Sequence, residues 1–322
     1  MEHKLDFTPL IKSSYYQTLF GTALDFERDL TSKTHIIQLE NDDKTTVEIS
    51  TPKGWELEDG IVLLVHGLCG SHKSHYMKRL ARRFYKKGIK VGRINLRNCG
   101  SARGLAKGIY HSGCSYDVLA ALKYVKRLFP EAPIVLMGFS LGANISLKLA
   151  GELKETGHDL LKGVVAVGPP VDLLSSARLL MEPKNQLYAN YFLKMLLDDI
   201  YFLHNHFNDL PPINFPKDLT LLDLDEIYIA PRINFTSALE YYYYCSSKRV
   251  ICDITLPTRI LLAKDDPIIS STALDDMQLP KNINLFKTEY GGHIGFVGLN
   301  IFKEFRWMDN LVISWGEEML NL

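Results

Sequence analysis

Apolar positions along this chain fall into two rhythms. Near the start, THIIQLE and TTVEIS are short runs separated by the turn-forming NDDK at 41–44, a pattern that predicts an antiparallel hairpin entering a sheet. From residue 61 onward the rhythm becomes strand–helix alternation. IVLLVHG (61–67), KVGRINL (90–96), PIVLMGFS (133–140) and GVVAVGP (163–169) read as apolar strands. Between them HYMKRLARRFYKKG (75–88), SYDVLAALKYVKRLF (115–129) and LGANISLKLAGELK (141–154) carry helical periodicity. TRILLAKD (258–265) and INLFKTEY (283–290) supply the last two strands, and NIFKEFRWMDNLVISWGEEML (300–320) a closing amphipathic helix. Such alternation predicts an α/β fold, a mostly parallel central sheet with helices on both faces.

From about 170 to 232 the alternation fails. The segment is rich in Leu, Tyr, Phe and Pro, with helical pieces such as NQLYANYFLKMLLDDIYFLHNHF (185–207). Because strands resume after it, the expectation is one domain over 1–322 with a cap-like helical insertion. No internal repeat or low-complexity tract interrupts this plan.

The chemistry centres on GFSLG at 138–142, a G-x-S-x-G set between a strand and a helix. Ser140 then falls on a tight turn where flanking glycines leave room for strained backbone, and the following helix aims its N-terminal amides at the hydroxyl. A serine hydroxyl is a weak nucleophile and needs a positioned base. In this architecture an acid and then a histidine follow at the ends of later strands. His293, approached through Gly291–Gly292, stands after the last strand. The acid is Asp265 or Asp266, both just past the strand before it; the spacing A-K-D-D-P-I-I favours Asp266. Backbone amides of Leu141, after the serine, and of Leu68, in the loop HGLCGS, are the candidate oxyanion donors. His66 in that loop reads as a brace for the backbone, and Cys69 as a packed thiol.

Composition narrows the alternatives. The 322 residues hold 37 basic and 37 acidic side chains, so no field for nucleic acid or anionic lipid is offered. The N-terminus lacks an apolar stretch of signal-peptide type and no run is long enough to span a bilayer, which leads us to expect a cytoplasmic protein without a membrane segment. Five cysteines without paired or C-x-x-C spacing are expected as free thiols, with no metal site. The first strand–helix turn has no G-x-G-x-x-G, which argues against a dinucleotide, and no other cofactor is expected.

Seven segments together resemble the YheT-like group of α/β hydrolases. They are HGLCGSHKSHY (66–76), RNCGSARG (97–104), YHSGCSYD (110–117), GFSLGAN (138–144), NQLY (185–188), AKDDP (263–267) and GGHIGF (291–296), in the group's order over nearly the whole chain. The resemblance implies a triad of Ser140, Asp266 and His293 and hydrolysis of carboxylic esters, with acyl transfer as a related outcome. Two departures stand out: Ala143 and Asn98 occupy positions where the group commonly has glycine, and Asn98 is expected to narrow a loop near the site. Tyr110–Gly113 is expected to brace the pocket floor.

The substrate expected on this reading is a short- to medium-chain acyl ester. Leu173, Leu174, Tyr188, Phe192, Met195 and Phe202 of the cap are candidates to line its pocket, although cap packing alone accounts for such residues too. Acyltransferase or thioesterase chemistry uses the same three groups, and a non-catalytic binding module is the alternative of a different kind.

Overall fold

In the computed structural model, residues 7–23, 28–299 and 306–321 are described. Among them, eight strands form one sheet: β1 (Lys33–Gln38), β2 (Lys44–Ser50), β3 (Ile61–Val65), β4 (Lys90–Ile94), β5 (Ile134–Phe139), β6 (Gly163–Val167), β7 (Thr258–Ala263) and β8 (Ile283–Thr288). Their order is β1-β2-β4-β3-β5-β6-β7-β8. The expected hairpin is present, with Lys33 opposite Ile49 and Gln38 opposite Lys44. β2 pairs antiparallel with β4, and every pairing from β4 to β8 is parallel.

Helix α1 (Ser14–Ala23) precedes the sheet, while α2 (His75–Lys86), α3 (Ser115–Leu128) and α4 (Leu141–Leu153) make the crossovers. The central strands are buried on both faces, which is why they read as continuous apolar runs. Side chains alternate across a strand, so each strand feeds two cores. Leu63, Leu136 and Val164 face Val118, Leu122 and Leu147 of α3 and α4. Leu64, Met137 and Val165 face Met77, Leu80 and Phe84 of α2.

Between β6 and β7 lie α5 (Leu173–Met181), α6 (Gln186–His206), a helical stretch over 221–232 and α7 (Ala238–Cys245). The helical region between β6 and β7 runs past Arg232 to α7. Tyr241, Tyr242 and Cys245 of α7 bury against Leu173, Ile200, Leu224 and Tyr228, so α7 completes a third apolar cluster that the preceding helices share. The closing helix, α8 (Trp307–Leu320), joins the α2 face, where Asp309 pairs with Arg79 at 2.9 Å. The first part of that expected helix, 300–305, lies outside the described residues.

Candidate active site

Ser140 sits at the junction of β5 and α4 with φ 52° and ψ −122°. Positive φ at a residue with a Cβ is strained, at a cost of about 1–3 kcal/mol that surrounding packing must offset. Here the surroundings are glycines. A Cβ on Gly138 would collide with the backbone of Gly142 and Ala143, and one on Gly142 with the carbonyls of Val65 and His66. The turn is therefore closed on itself and against the end of β3. Ser140 also donates its amide to the Val167 carbonyl at 2.8 Å, which ties it to β6.

The loop after β8 brings His293 to this serine. Its Nε2 lies 2.8 Å from Ser140 Oγ and its Nδ1 lies 2.9 Å from Asp266 Oδ2. Asp266 is fixed in turn. Its Oδ1 accepts the amides of Ile268 at 2.8 Å and Ile269 at 2.9 Å, leaving Oδ2 for the ring. With its Nδ1–H donated to the carboxylate, the ring would present the Nε2 lone pair to the hydroxyl. Such a relay can draw a proton from Ser140 as the oxygen attacks. Asn185, in the NQLY segment, bridges the Leu179 and Pro267 carbonyls at 2.8 and 2.7 Å and fastens the insertion to the Asp266 loop.

The His293 loop rests on α1. His293 donates its amide to Thr18 Oγ1 at 2.9 Å, and fully buried Gln17 exchanges bonds with the Val297 amide (2.6 Å) and carbonyl (3.0 Å). A Cβ on Gly292 would stand 2.6 Å from the Ser14 carbonyl, so the loop reaches the helix only because it lacks side chains there.

The loop after β3 is held as the sequence leads one to expect. His66 is fully buried, its Nδ1 bonded to the Gly67 carbonyl at 2.8 Å and its Nε2 accepting the Leu96 amide at 3.1 Å. Burial lowers its pKa to about 4, so it stays neutral. The hydroxyls of Tyr76 and Tyr110 accept the amides of Gly67 (2.8 Å) and Cys69 (3.0 Å). Burial pushes the Cys69 thiol up to about 12, a protonated packed group. Leu68 and Leu141 border the same cavity as Ser140, and neither amide donates to an acceptor among the described residues.

That cavity encloses about 790 Å³ including its open mouth. Leu173, Ala177, Leu180, Phe192, Leu196, Ile268 and Ile269 supply most of its apolar wall. Of the six cap residues named from the sequence, Leu173 and Phe192 line it; Leu174, Tyr188, Met195 and Phe202 do not. Position on α6 explains one of these and packing another. Leu196 follows Phe192 by four residues on one face of α6, whereas Met195 is rotated about 100° away. Tyr188 lies a turn earlier and packs on Tyr15 of α1, ring centroids 6.1 Å apart.

Asp225, Tyr241 and Tyr242 also line the cavity and were not anticipated there, and Ser112, from the expected Tyr110–Gly113 floor, lines it too. Of Tyr110–Gly113 only Ser112 reaches this cavity, and Asn144 Nδ2 donates to the carbonyls of Ser112 (2.9 Å) and Cys245 (3.0 Å). Asn98 adopts φ 60°, the conformation for which glycine is the usual choice, and its Nδ2 holds the Ala106 and Gly108 carbonyls, each at 2.9 Å. It borders a neighbouring cavity with Arg97 and Tyr110, not the Ser140 cavity, so it does not narrow the site. Among the described residues no group of His, Cys, Asp or Glu converges as a metal site. No described helix is long and apolar enough to cross a membrane.

Known proteins resemble this chain in sequence or in fold. YheT of Escherichia coli (strain K12) is 28% identical over 259 residues, which cover 79% of this chain and 75% of YheT. The monoacylglycerol lipase of Saccharomyces cerevisiae is 26% identical over 246 residues, covering 73% of this chain and 54% of the yeast protein. In structure, the Pyrococcus furiosus esterase Pf2001 superposes with a TM-score of 0.56 at 18% identity, covering 91% of each chain. Est1E from Butyrivibrio proteoclasticus gives a TM-score of 0.58 at 14% identity, covering 90% of this chain and 100% of Est1E. The family model described as the α/β hydrolase fold matches residues 60–298. By that match, and by a sheet that places Ser140, Asp266 and His293 after the ends of its parallel strands β5, β7 and β8, the chain belongs to the α/β hydrolases and within them is similar to YheT.

Proposed function

We propose that this protein is a serine hydrolase of carboxylic esters, working through an acyl-enzyme on Ser140. The observation that carries the reading is the unbroken chain Asp266–His293–Ser140, with contacts of 2.9 and 2.8 Å. His293 Nε2 takes the hydroxyl proton as Oγ attacks the ester carbonyl, then returns it to the departing alcohol. Asp266 holds the ring and stabilises the imidazolium. The Leu68 and Leu141 amides receive the developing oxyanion; one such donor is worth about 3–4 kcal/mol in the transition state. Water activated by His293 then releases the acid.

The 168–257 insertion acts as a cap within a single domain, and its apolar wall accommodates a short- to medium-chain acyl group. The names of similar proteins, an esterase and a monoacylglycerol lipase, agree with this chemistry. Treatment with a fluorophosphonate probe tests it: the wild type should be labelled on Ser140 and should cleave nitrophenyl butyrate. Ser140→Ala should do neither while melting normally. A wild type inert to both reagents, or labelled at another serine, overturns the reading.

A further inference from the structure

Apolar groups make most of the Ser140 cavity, yet besides Ser140 and Ser176 four polar residues share its wall and are bonded in two pairs. The Tyr241 hydroxyl donates to Ser112 Oγ at 2.8 Å and accepts the Ser112 amide at 3.0 Å. The Tyr242 hydroxyl donates to Asp225 Oδ2 at 2.5 Å. Asp225 opens a π-helical turn, Asp225–Ile229, of the kind found disproportionately at functional sites. It stands between Leu224, fully buried in the cap cluster, and exposed Glu226. No ion pair compensates its charge among the described residues; burial pushes its carboxyl up to about 7, and the Tyr242 hydroxyl is what opposes this. The side chain is half-buried on the cavity wall, with the Tyr242 hydroxyl as its hydrogen-bond partner among the described residues. A carboxyl so placed beside apolar groups gains from a ligand group that completes its bonding.

We infer that Asp225, oriented by Tyr242, is a recognition point for a free hydroxyl on the ester substrate, as carried by a partial ester of a polyol or by a hydroxyacyl ester. The inference rests on the ester-hydrolase reading and specifies its substrate class. Asp225 Oδ2 is committed to Tyr242, and Oδ1 is the atom left for the ligand. A neutral hydroxyl fits better than an ammonium group, since a cation in this apolar wall would meet one carboxyl and little other compensation.

The test compares kcat/KM for matched esters that differ by hydroxyl groups: glyceryl against propyl butyrate, and ethyl 6-hydroxyhexanoate against ethyl hexanoate. The wild type should prefer the hydroxylated member of at least one pair, which also tells whether the alcohol or acyl portion carries the group. Asp225→Leu should cut that preference by ~10-fold or more, the scale of discrimination lost when a buried polar partner goes unmatched. Tyr242→Phe, a gentler change, should reduce it in the same direction. Ratios that stay at their wild-type value in both variants overturn the inference, as does a wild type with no preference in either pair. A structural role would lower both members of a pair equally. Fluorophosphonate labelling of the same preparations separates the failures: an unlabelled wild type sinks the hydrolase reading itself, whereas a labelled enzyme with unmoved ratios sinks only the role of Asp225.

Discussion

Asp265 and Asp266, neighbours in sequence, hold one loop at two adjacent points. Asp265 Oδ1 accepts the Gly292 amide at 2.9 Å, and Asp266 Oδ2 meets the His293 ring at 2.9 Å. The first carboxyl positions backbone, and its other oxygen is buried without a partner. The second addresses the imidazole. Removing the charge from Asp266 should lower kcat of the proposed reaction by about 10⁴-fold, the scale seen when such an acid loses control of the ring tautomer. Asp265→Asn keeps an oxygen for the Gly292 amide and should cost far less. Steady-state kinetics on a nitrophenyl ester read both, and a reversed ranking would mean that the acid has been misassigned.

Gly67 makes a second, sterically sharp prediction. A methyl group there would stand 2.9 Å from Ser140 Cβ and 3.2 Å from the Phe139 carbonyl oxygen. The serine turn is already locked by Gly138 and Gly142, so the loop after β3 must move away and take the Leu68 amide with it. A displacement near 1 Å at a reacting centre costs ~100-fold in rate. Gly67→Ala should therefore lose about that much in kcat. Activity within a few-fold of wild type would show that the close approach is dispensable.

His66 predicts how stability responds to acid. Its folded pKa, about 4, lies below the ordinary 6.5, so between these values the unfolded chain binds a proton that the folded one refuses. Its contribution is complete above pH 6.5 and is lost as pH falls toward 4, at ~1.4 kcal/mol per pH unit. Urea unfolding of wild type and His66→Gln across pH 4.5–6.5 should give curves whose slopes differ by about one proton. Parallel curves would mean that His66 titrates normally in the fold.

The face of α6 predicts which cap substitutions change selectivity. Phe192 and Leu196 border the cavity and Met195 does not. Phe192→Ala or Leu196→Ala should shift the preferred acyl chain to longer esters, because removing a wall residue deepens the pocket. Met195→Ala should leave the profile in place. A panel of nitrophenyl esters of increasing length checks all three, and a profile moved only by Met195→Ala would reverse the assignment of the face.

What could be read in advance tracks how local the cause is. β3, β5 and β6 were legible because strands covered on both faces need unbroken apolar runs. Ser140, His293 and the acid pair were legible because strand ends impose their order. Met195 was a plausible neighbour of the substrate, but on a helix rich in Leu, Tyr and Phe all round, one residue of phase cannot be told from sequence. Asp225, in LLDLDEIYIA, looks like one more solvated acid, and only the π-helical turn and the packing of α7 place it on the cavity. The stretch YYYYC in α7 has no apolar period that marks it as part of the cap. Nothing near Gln17 or Thr18 indicates that they meet a loop 280 and 275 residues away.

That last pairing bears on how the protein is made. Translation delivers Gln17 and Thr18 before Ser140, and the loop they must hold after both. Over 153 residues of synthesis, the serine exists without its histidine. Even after residue 293 has left the ribosome, the ring is not anchored until the segment through Val297 docks on α1. Closure over so long a separation is entropically slow and depends on the sheet between being in place. Reactivity should therefore appear in a single late step, leaving an arrested or half-folded chain unable to attack esters around it.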